Sequence, residues 1–139
     1  VNAEVTAAAT AAGFDHLDGK IECLYAAGEL RVADVVGTFD ENRFRYDGVH
    51  VSKEVLRMHY REAAPGWYRA IREAKRTDGP GWQAAVDVEP PRLPSALKTA
   101  VERLYQAGAD GYTGRDHFGV GDLSAAAQRV DALIDGQNS

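Results

Sequence analysis

The chain has 139 residues and a mass of 15.0 kDa, with 45% hydrophobic and 27% charged side chains. That is the arithmetic of one soluble domain, able to bury roughly two-thirds of its unfolded surface without staples. A formal charge of −5 and a pI near 5.3 leave no basic stripe for nucleic acid or an anionic membrane as main partner.

No apolar run approaches the ~20 residues of a membrane span. The Ala-rich start, Val1 to Gly13, has no Lys or Arg and so lacks the charged beginning of a signal peptide. A cytoplasmic location is expected, and the single cysteine, Cys23, fits a reducing compartment. Val1 opens the chain and Met58 is the one methionine, so a replaced initiator or a removed N-terminal stretch is expected.

Residues 2–12 predict a helix closed by Gly13, because Ala has the best helix propensity. Residues 18–25 and 30–36 predict two strands joined by Ala27-Gly28-Glu29, where Gly28 suits a tight hairpin. Arg43 to Tyr46 predicts a short strand before the Asp47-Gly48 turn. Ser52 reads as a helix cap, and Pro65-Gly66 breaks that helix before a second one near Trp67–Lys75. Thr77 to Pro80 reads as a loop, and Pro90, Pro91 and Pro94 make an extended connector. Ser95 is expected to cap a helix to about Ala107, with Leu97, Val101 and Leu104 on one stripe. A Gly-rich loop, Gly108 to Gly121, then precedes a last helix from about Leu123 to Ile134 and a frayed tail, Asp135 to Ser139. The sum is α+β: residues 1–139 as one domain, a small antiparallel sheet or hairpin packed against several helices.

The hairpin draws attention first. If residues 18–25 form one strand, Asp18, Lys20, Glu22 and Leu24 share a face. With a three-residue loop, residues whose numbers sum to 56 stand opposite, and Glu22 faces Asp34. Opposed carboxylates are destabilising by up to about 1 kcal/mol, so a divalent cation or a shared proton is wanted. A two- or four-residue loop shifts the register by one and moves Asp34 to the other face; simple solvated acids beside Lys20 are the bland alternative.

Four segments carry a resemblance. They are Asp18-Gly19-Lys20-Ile21-Glu22 with Asp34 twelve residues after Glu22, then Asp40-Glu41-Asn42-Arg43, then Lys53-Glu54-Val55-Leu56-Arg57, then Pro94-Ser95-Ala96-Leu97 with Tyr112-Thr113-Gly114-Arg115. In that order they resemble the C-terminal half of SAICAR synthetase (phosphoribosylaminoimidazole-succinocarboxamide synthase), a purine-biosynthetic ligase. The resemblance implies an ATP-dependent ligase that joins the amine of aspartate to the carboxylate of an imidazole ribotide through an acyl phosphate. It implies Mg²⁺ held on the ATP phosphates by Glu22 and Asp34, and Asp18 and Lys20 as active-site groups, Lys20 also on the nucleotide side. It implies Asp40, Arg43, Lys53 and Arg57 around the ribotide. Such chemistry moves a phosphoryl group between anions and needs a metal and cations to spread charge. Relatives in purine-analogue nucleoside pathways would make the ribotide a modified one.

The pattern also departs from the family. Cys23-Leu24 stand where Phe-Gly is usual, and Phe39 where Pro is usual. The N-terminal lobe with its Gly-rich, ATP-gripping loop has no counterpart, and Gly108–Gly121 lacks the Gly-Lys-Ser/Thr of a P-loop. The expected arrangement is therefore a split enzyme, in which this lobe works with a separate N-terminal lobe chain and shows it an apolar patch. Alternatives are a non-catalytic ribotide-binding or regulatory module, and a fragment of a full-length enzyme.

Other residues read more plainly. Cys23 is expected to point into the core, opposite Glu22. His59 reads as packed and His16 as a candidate pocket-mouth residue. Trp67, Tyr68 and Trp82 read as core anchors, and Glu41, Asp87 and Glu89 as surface. Arg115 and His117 are the unassigned loop candidates.

Overall fold

The Ala-rich start folds as α1 (Asn2–Ala11) and buries Val5 and Ala9 in the computed structural model, which describes residues 1–136. The expected long first strand is two strands. β1 (Asp15–Gly19) pairs antiparallel with β4 (Asn42–Tyr46), which turns at Asp47-Gly48 into β5 (Val49–His50), giving a three-stranded sheet of order β1-β4-β5. β2 (Cys23–Ala26) and β3 (Glu29–Val32) form a separate two-stranded hairpin. The alternation from Asp18 to Leu24 is thus interrupted at Lys20–Glu22, and Asp18 and Glu22 do not share one continuous strand face.

The hairpin register also differs from the expected one. Cys23 pairs with Val32 and Ala26 with Glu29, so the loop is the two residues Ala27-Gly28. Both have positive φ, 53° and 82°, the backbone of a type I′ turn that matches strand twist. In this register the Ala33 amide donates to the Glu22 carbonyl at 3.0 Å, and Asp34 lies past the strand end. Glu22 therefore stands opposite Ala33, and the directly opposed pair of carboxylates is not formed. Cys23 is exposed rather than buried, because the hairpin packs on no core.

The helices follow the sequence with local corrections. α2 (Glu54–Ala63) starts one residue after Lys53, and Ser52 is buried without a capping side-chain bond. α3 (Pro65–Asp78) begins with Pro at its first position, where the missing N–H costs nothing. It runs through Thr77 into a 3₁₀ segment (Gly79–Ala85), so the loop expected at Thr77–Pro80 is largely helical. Trp67 and Trp82 are half-buried rather than core: Trp67 packs on Tyr60 at 5.0 Å, and Lys75 sits over Trp82 at 4.6 Å.

The helix α4 (Ser95–Thr113) passes straight through Gly108 and Gly111, which glycine content alone marks as loop. The reason is packing. A Cβ on Gly108 would lie 2.3 Å from the Phe39 ring, so the helix can approach that ring only with Gly there. Ser95 makes no capping bond, whereas Asp122 caps α5 (Leu123–Asp135) by accepting from the Ser124 amide. Of the tail expected to fray, residues 137–139 lie outside the described residues.

The core joins Phe14, Phe39 and Phe44, with ring centroids 5.7–6.2 Å apart, to Leu97 and Leu104 of α4 and Ala127 and Val130 of α5. Phe14 meets the other two rings edge to face, and such pairs each contribute about 0.5–1.5 kcal/mol beyond area burial. Among the described residues no helix is long and apolar enough to cross a membrane.

Candidate functional site

The sheet β1-β4 and the helix start after β5 converge on one cleft of about 480 Å³. Asp18 and Arg43 are cross-strand neighbours in the β1–β4 ladder. Arg43 Nε donates to Asp18 Oδ1 at 2.6 Å and its Nη2 to Oδ2, a bidentate pair. That pairing holds the Asp18 carboxyl below the usual carboxylate range and the Arg43 guanidinium above its own.

Next along the chain, the Lys20 amide donates to the Glu41 carbonyl at 2.8 Å, which ties the end of β1 to the start of β4. The Lys20 ammonium contacts Glu22 and lies 3.8 Å from Glu41. Its pKa is raised first by the Glu22 hydrogen bond, with smaller contributions from Glu41 and Asp34. Lys53 approaches the other Glu41 oxygen at 3.9 Å. Glu41, expected to be surface, thus bridges two cleft lysines with a side chain only 21% exposed.

The far wall is α2 and the start of α3. Glu54 is buried, yet its carboxyl accepts from Arg57 and Arg61 at 3.1 Å each. Burial pushes its pKa up, but the two arginines outweigh burial and leave it lowered. Arg61 lies 5.6 Å over the Tyr68 ring, within cation–π range. On the opposite side the Tyr105 hydroxyl donates to Asp40 Oδ1 at 3.2 Å; burial, reinforced by Asp40, raises the Tyr105 pKa.

Asn42 underlies the cleft. Its Oδ1 accepts from the Gly37 amide at 3.0 Å, and its Nδ2 donates to His16 Nε2 at 2.8 Å. With Nε2 accepting, Nδ1 of His16 carries the proton and donates to Thr6 Oγ1 at 2.8 Å. His16 is therefore a bracing residue beneath the cleft rather than one at its mouth. Gly19 is required where the Asn42 amide crosses it, because a Cβ there would lie 1.9 Å from Nδ2.

Asp18, Lys20, Asp40, Arg43, Lys53 and Arg57 all line this cleft. Glu22 and Asp34 do not. Glu22 is engaged by Lys20, and Asp34 Oδ1 accepts from the Val35 amide at 2.8 Å. Among the described residues no three His, Cys, Asp or Glu side chains are grouped to hold a metal. Two carboxylates facing Lys20 are donors of the kind Mg²⁺ uses together with substrate phosphates, but they are not a cage by themselves.

Glu54, Arg61 and Tyr68 also line the cleft, and neither the motifs nor the resemblance gives them a role. The spacing Glu54, Arg57, Arg61 on one helix is the signal that finds the first two, since i, i+3 and i+7 share a face. Arg115 lines a separate hollow after α4, where Asp110 accepts from the amides of His117 and Phe118, and neither Arg115 nor His117 reaches the cleft.

The cleft holds five cations and four carboxylates, nearly balanced and largely paired. It suits a ligand that bears both anionic groups and N–H or O–H donors, and that exchanges its own partners for these internal pairs.

The chain is 38% identical over 132 residues to a protein of Archaeoglobus fulgidus named as a candidate phosphoribosylaminoimidazole-succinocarboxamide synthase. The match takes in 94% of this chain and 38% of that relative's length. No family model matches the chain, and no solved structure matches it. The chain is thus a relative of SAICAR synthetase that spans well under half the length of the curated relative it matches.

Proposed function

We propose that this chain is the C-terminal, substrate-binding lobe of a SAICAR synthetase-like ligase of purine or purine-analogue biosynthesis. The ligase joins the amine of an amino acid, aspartate by resemblance, to the carboxylate of an imidazole ribotide through an acyl phosphate. A separate N-terminal lobe chain supplies the grip on ATP. The observation that carries the reading is convergence: six residues from three separate stretches of the sequence, named by the resemblance, line one cleft. Nothing in helix or strand periodicity requires Asp18, Asp40 and Arg57 to meet.

In this reading Asp40, Arg43, Lys53 and Arg57 hold the ribotide, with Arg57 and Lys53 supplying positive charge for its phosphate. Asp18, fixed by Arg43, stays ionised and orients a donor group of the substrates. Lys20 spreads the charge of the acyl phosphate. Glu22 and Asp34 would hold Mg²⁺, which supplies charge neutralisation on the nucleotide phosphates. The hairpin that carries them supports the need for a second lobe. Cys23, Tyr25, Leu30 and Val32 share one face by register, and Tyr25 and Leu30 are 70% and 73% exposed. A two-stranded ribbon is marginal in water by itself, and an apolar face invites a covering partner.

The test is reconstitution. The chain is mixed with a candidate N-terminal lobe, and ATP- and Mg²⁺-dependent amide formation is followed. Activity that disappears in Glu22→Gln, Asp34→Asn and Arg43→Gln supports the reading. A chain that binds a ribotide but forms no amide and consumes no ATP with any such lobe overturns it. That outcome leaves a non-catalytic ribotide-binding module, which one observation favours: the cleft is complete without Glu22 and Asp34.

A further inference from the structure

Positive charge is distributed unevenly in this acidic chain. Residues 53–76 contain seven of its sixteen Lys and Arg, against three acids. Arg69, Arg72 and Arg76 follow at spacings of three and four on α3 and so share a face. With Arg61 of α2, Pro65, Tyr68 and one carboxylate, Glu73, they wall a hollow of about 400 Å³. Arg61 and Tyr68 line both this hollow and the cleft, so the two are contiguous.

These arginines are not equally satisfied. Arg61 is held by Glu54 at 3.1 Å, and Arg76 pairs with Glu73. Arg69 and Arg72 make no ion pair among the described residues. Like charges three and four residues apart on a helix each cost a few tenths of a kcal/mol. Stacking such pairs around a concavity concentrates positive potential where an anion has room to enter. Guanidinium forks favour an oxyanion that offers two parallel acceptor oxygens, and phosphate offers three or more with up to two charges.

We propose that the α2–α3 hollow is a phosphate-class oxyanion subsite, with Arg69 and Arg72 as its main donors and Arg61 as the shared wall with the cleft. The proposal does not rest on the ligase reading, since it concerns side chains outside the six that carry that reading. The oxyanion has two sources with the same chemistry: a phosphate group on a ligand that extends from the cleft, or free inorganic phosphate. An extended polynucleotide is disfavoured, because the sequence beyond this stretch is strongly acidic and offers no continuing track.

Inorganic phosphate is titrated into the 139-residue chain at constant ionic strength, with chloride as the balancing anion and arginine side-chain N–H resonances as the readout. The Arg69 and Arg72 signals are expected to move and saturate. The Arg69→Gln/Arg72→Gln double variant is expected to bind about tenfold or more weakly. The corresponding double Lys variant should fall between, because charge is kept and the bidentate fork is lost. Ribose 5-phosphate then separates the sources: weakening in Lys53→Gln as well as in the arginine variant marks a ligand spanning cleft and hollow, and weakening in the arginine variant alone marks a free phosphate group. Phosphate that moves these resonances no more than chloride does, or that binds the Gln double variant as tightly as the parent, overturns the proposal. Both variants change exposed side chains, and matching circular dichroism checks that the fold is intact.

Discussion

The cleft and the hairpin carry the residues that the family resemblance puts to work, and they are built in opposite ways. The cleft residues stand on elements that are packed elsewhere. Arg43 flanks Phe44, which is fully buried, and Arg57 rides on α2 beside buried Val55 and His59. Their backbones are fixed by the core, so only side-chain freedom is left to order. Glu22 and Asp34 flank a ribbon that touches the body little and shows its apolar face to water. The difference teaches where this chain is self-sufficient: the geometry of the cleft is preorganised by the core, while the hairpin between Glu22 and Asp34 has no core beneath it.

Substitutions that test the two regions against each other should differ most in stability. Phe44→Ala removes a ring packed on Phe14, Phe39 and Tyr112, and should cost about 3–5 kcal/mol in urea unfolding. Leu30→Ala, at 73% exposure, should stay within about 0.5 kcal/mol in the isolated chain. If the proposed N-terminal lobe chain covers the hairpin, the same Leu30 change weakens that association, seen as a shift in co-elution. Equal stability losses for the two variants would mean that the hairpin is already packed, and the contrast would fail.

Gly108→Ala sharpens the same point within the body. Ala favours a helix interior by roughly 1 kcal/mol over Gly. Here the new methyl would meet Phe39 at 2.3–2.5 Å, and overpacking of that kind costs about 1–3 kcal/mol. The expected net is a destabilisation near 1 kcal/mol, read as a fall in Tm. A rise in Tm would show that the Phe39 ring moves aside freely.

This glycine also marks what was and was not legible in the sequence. The Ala-rich first helix, the Asp47-Gly48 hairpin and the stripe Leu97, Val101, Leu104 were readable because local pattern and tertiary demand agree there. Glycine content marks Gly108 and Gly111 as loop because it carries no information about what they pack against, the distant Phe39 ring for Gly108 and Leu123 and Phe14 for Gly111. The long first strand failed for a related reason: residues 15–19 find their partner in β4 and residues 23–26 in β3, and period-two alternation carries no information about partners. Among the residues lining the cleft, Arg43 and Asp18 are named by the motif that carries the resemblance. Glu41 is not, since an acid between two lysines is indistinguishable in sequence from a solvated one.

The acid limb of stability gives a third effect, of a size comparable with that at Gly108. Glu54 has a carboxyl pKa below its ordinary 4.5 in the folded chain. A lowered acid contributes stability that is fully present above the unfolded value and is lost as pH falls through the folded one. Below pH 4.5, then, the wild type should lose stability faster than Glu54→Gln, whose curve lacks this contribution. At pH 7 the same variant should be about 1–2 kcal/mol less stable, because two charge-assisted hydrogen bonds are lost while the half-exposed arginines regain water. Urea midpoints across pH 3–7 measure both ends. Parallel curves would mean that the Arg57–Glu54–Arg61 clamp is not formed in solution.

The smallest effect lies at the hairpin tip, where the two regions can be separated within one molecule. Ala27 holds φ at 53°, a left-handed conformation that costs a side-chain-bearing residue roughly 1–2 kcal/mol relative to Gly. Ala27→Gly relieves that cost, although greater freedom of Gly in the unfolded chain offsets part of it, leaving about 0.5–1 kcal/mol. In a ribbon that opens independently of the core, this gain appears locally. Amide exchange at Leu24, Arg31 and Ala33 should slow by about two- to fivefold, the factor that such a free energy gives. Exchange at Leu104 and Val130, buried in the α4–α5 core, should not change. Were both sets to slow together, the hairpin would be opening with the body as one cooperative unit, and its exposed apolar face would belong to the stability of this chain alone rather than to a surface built for another.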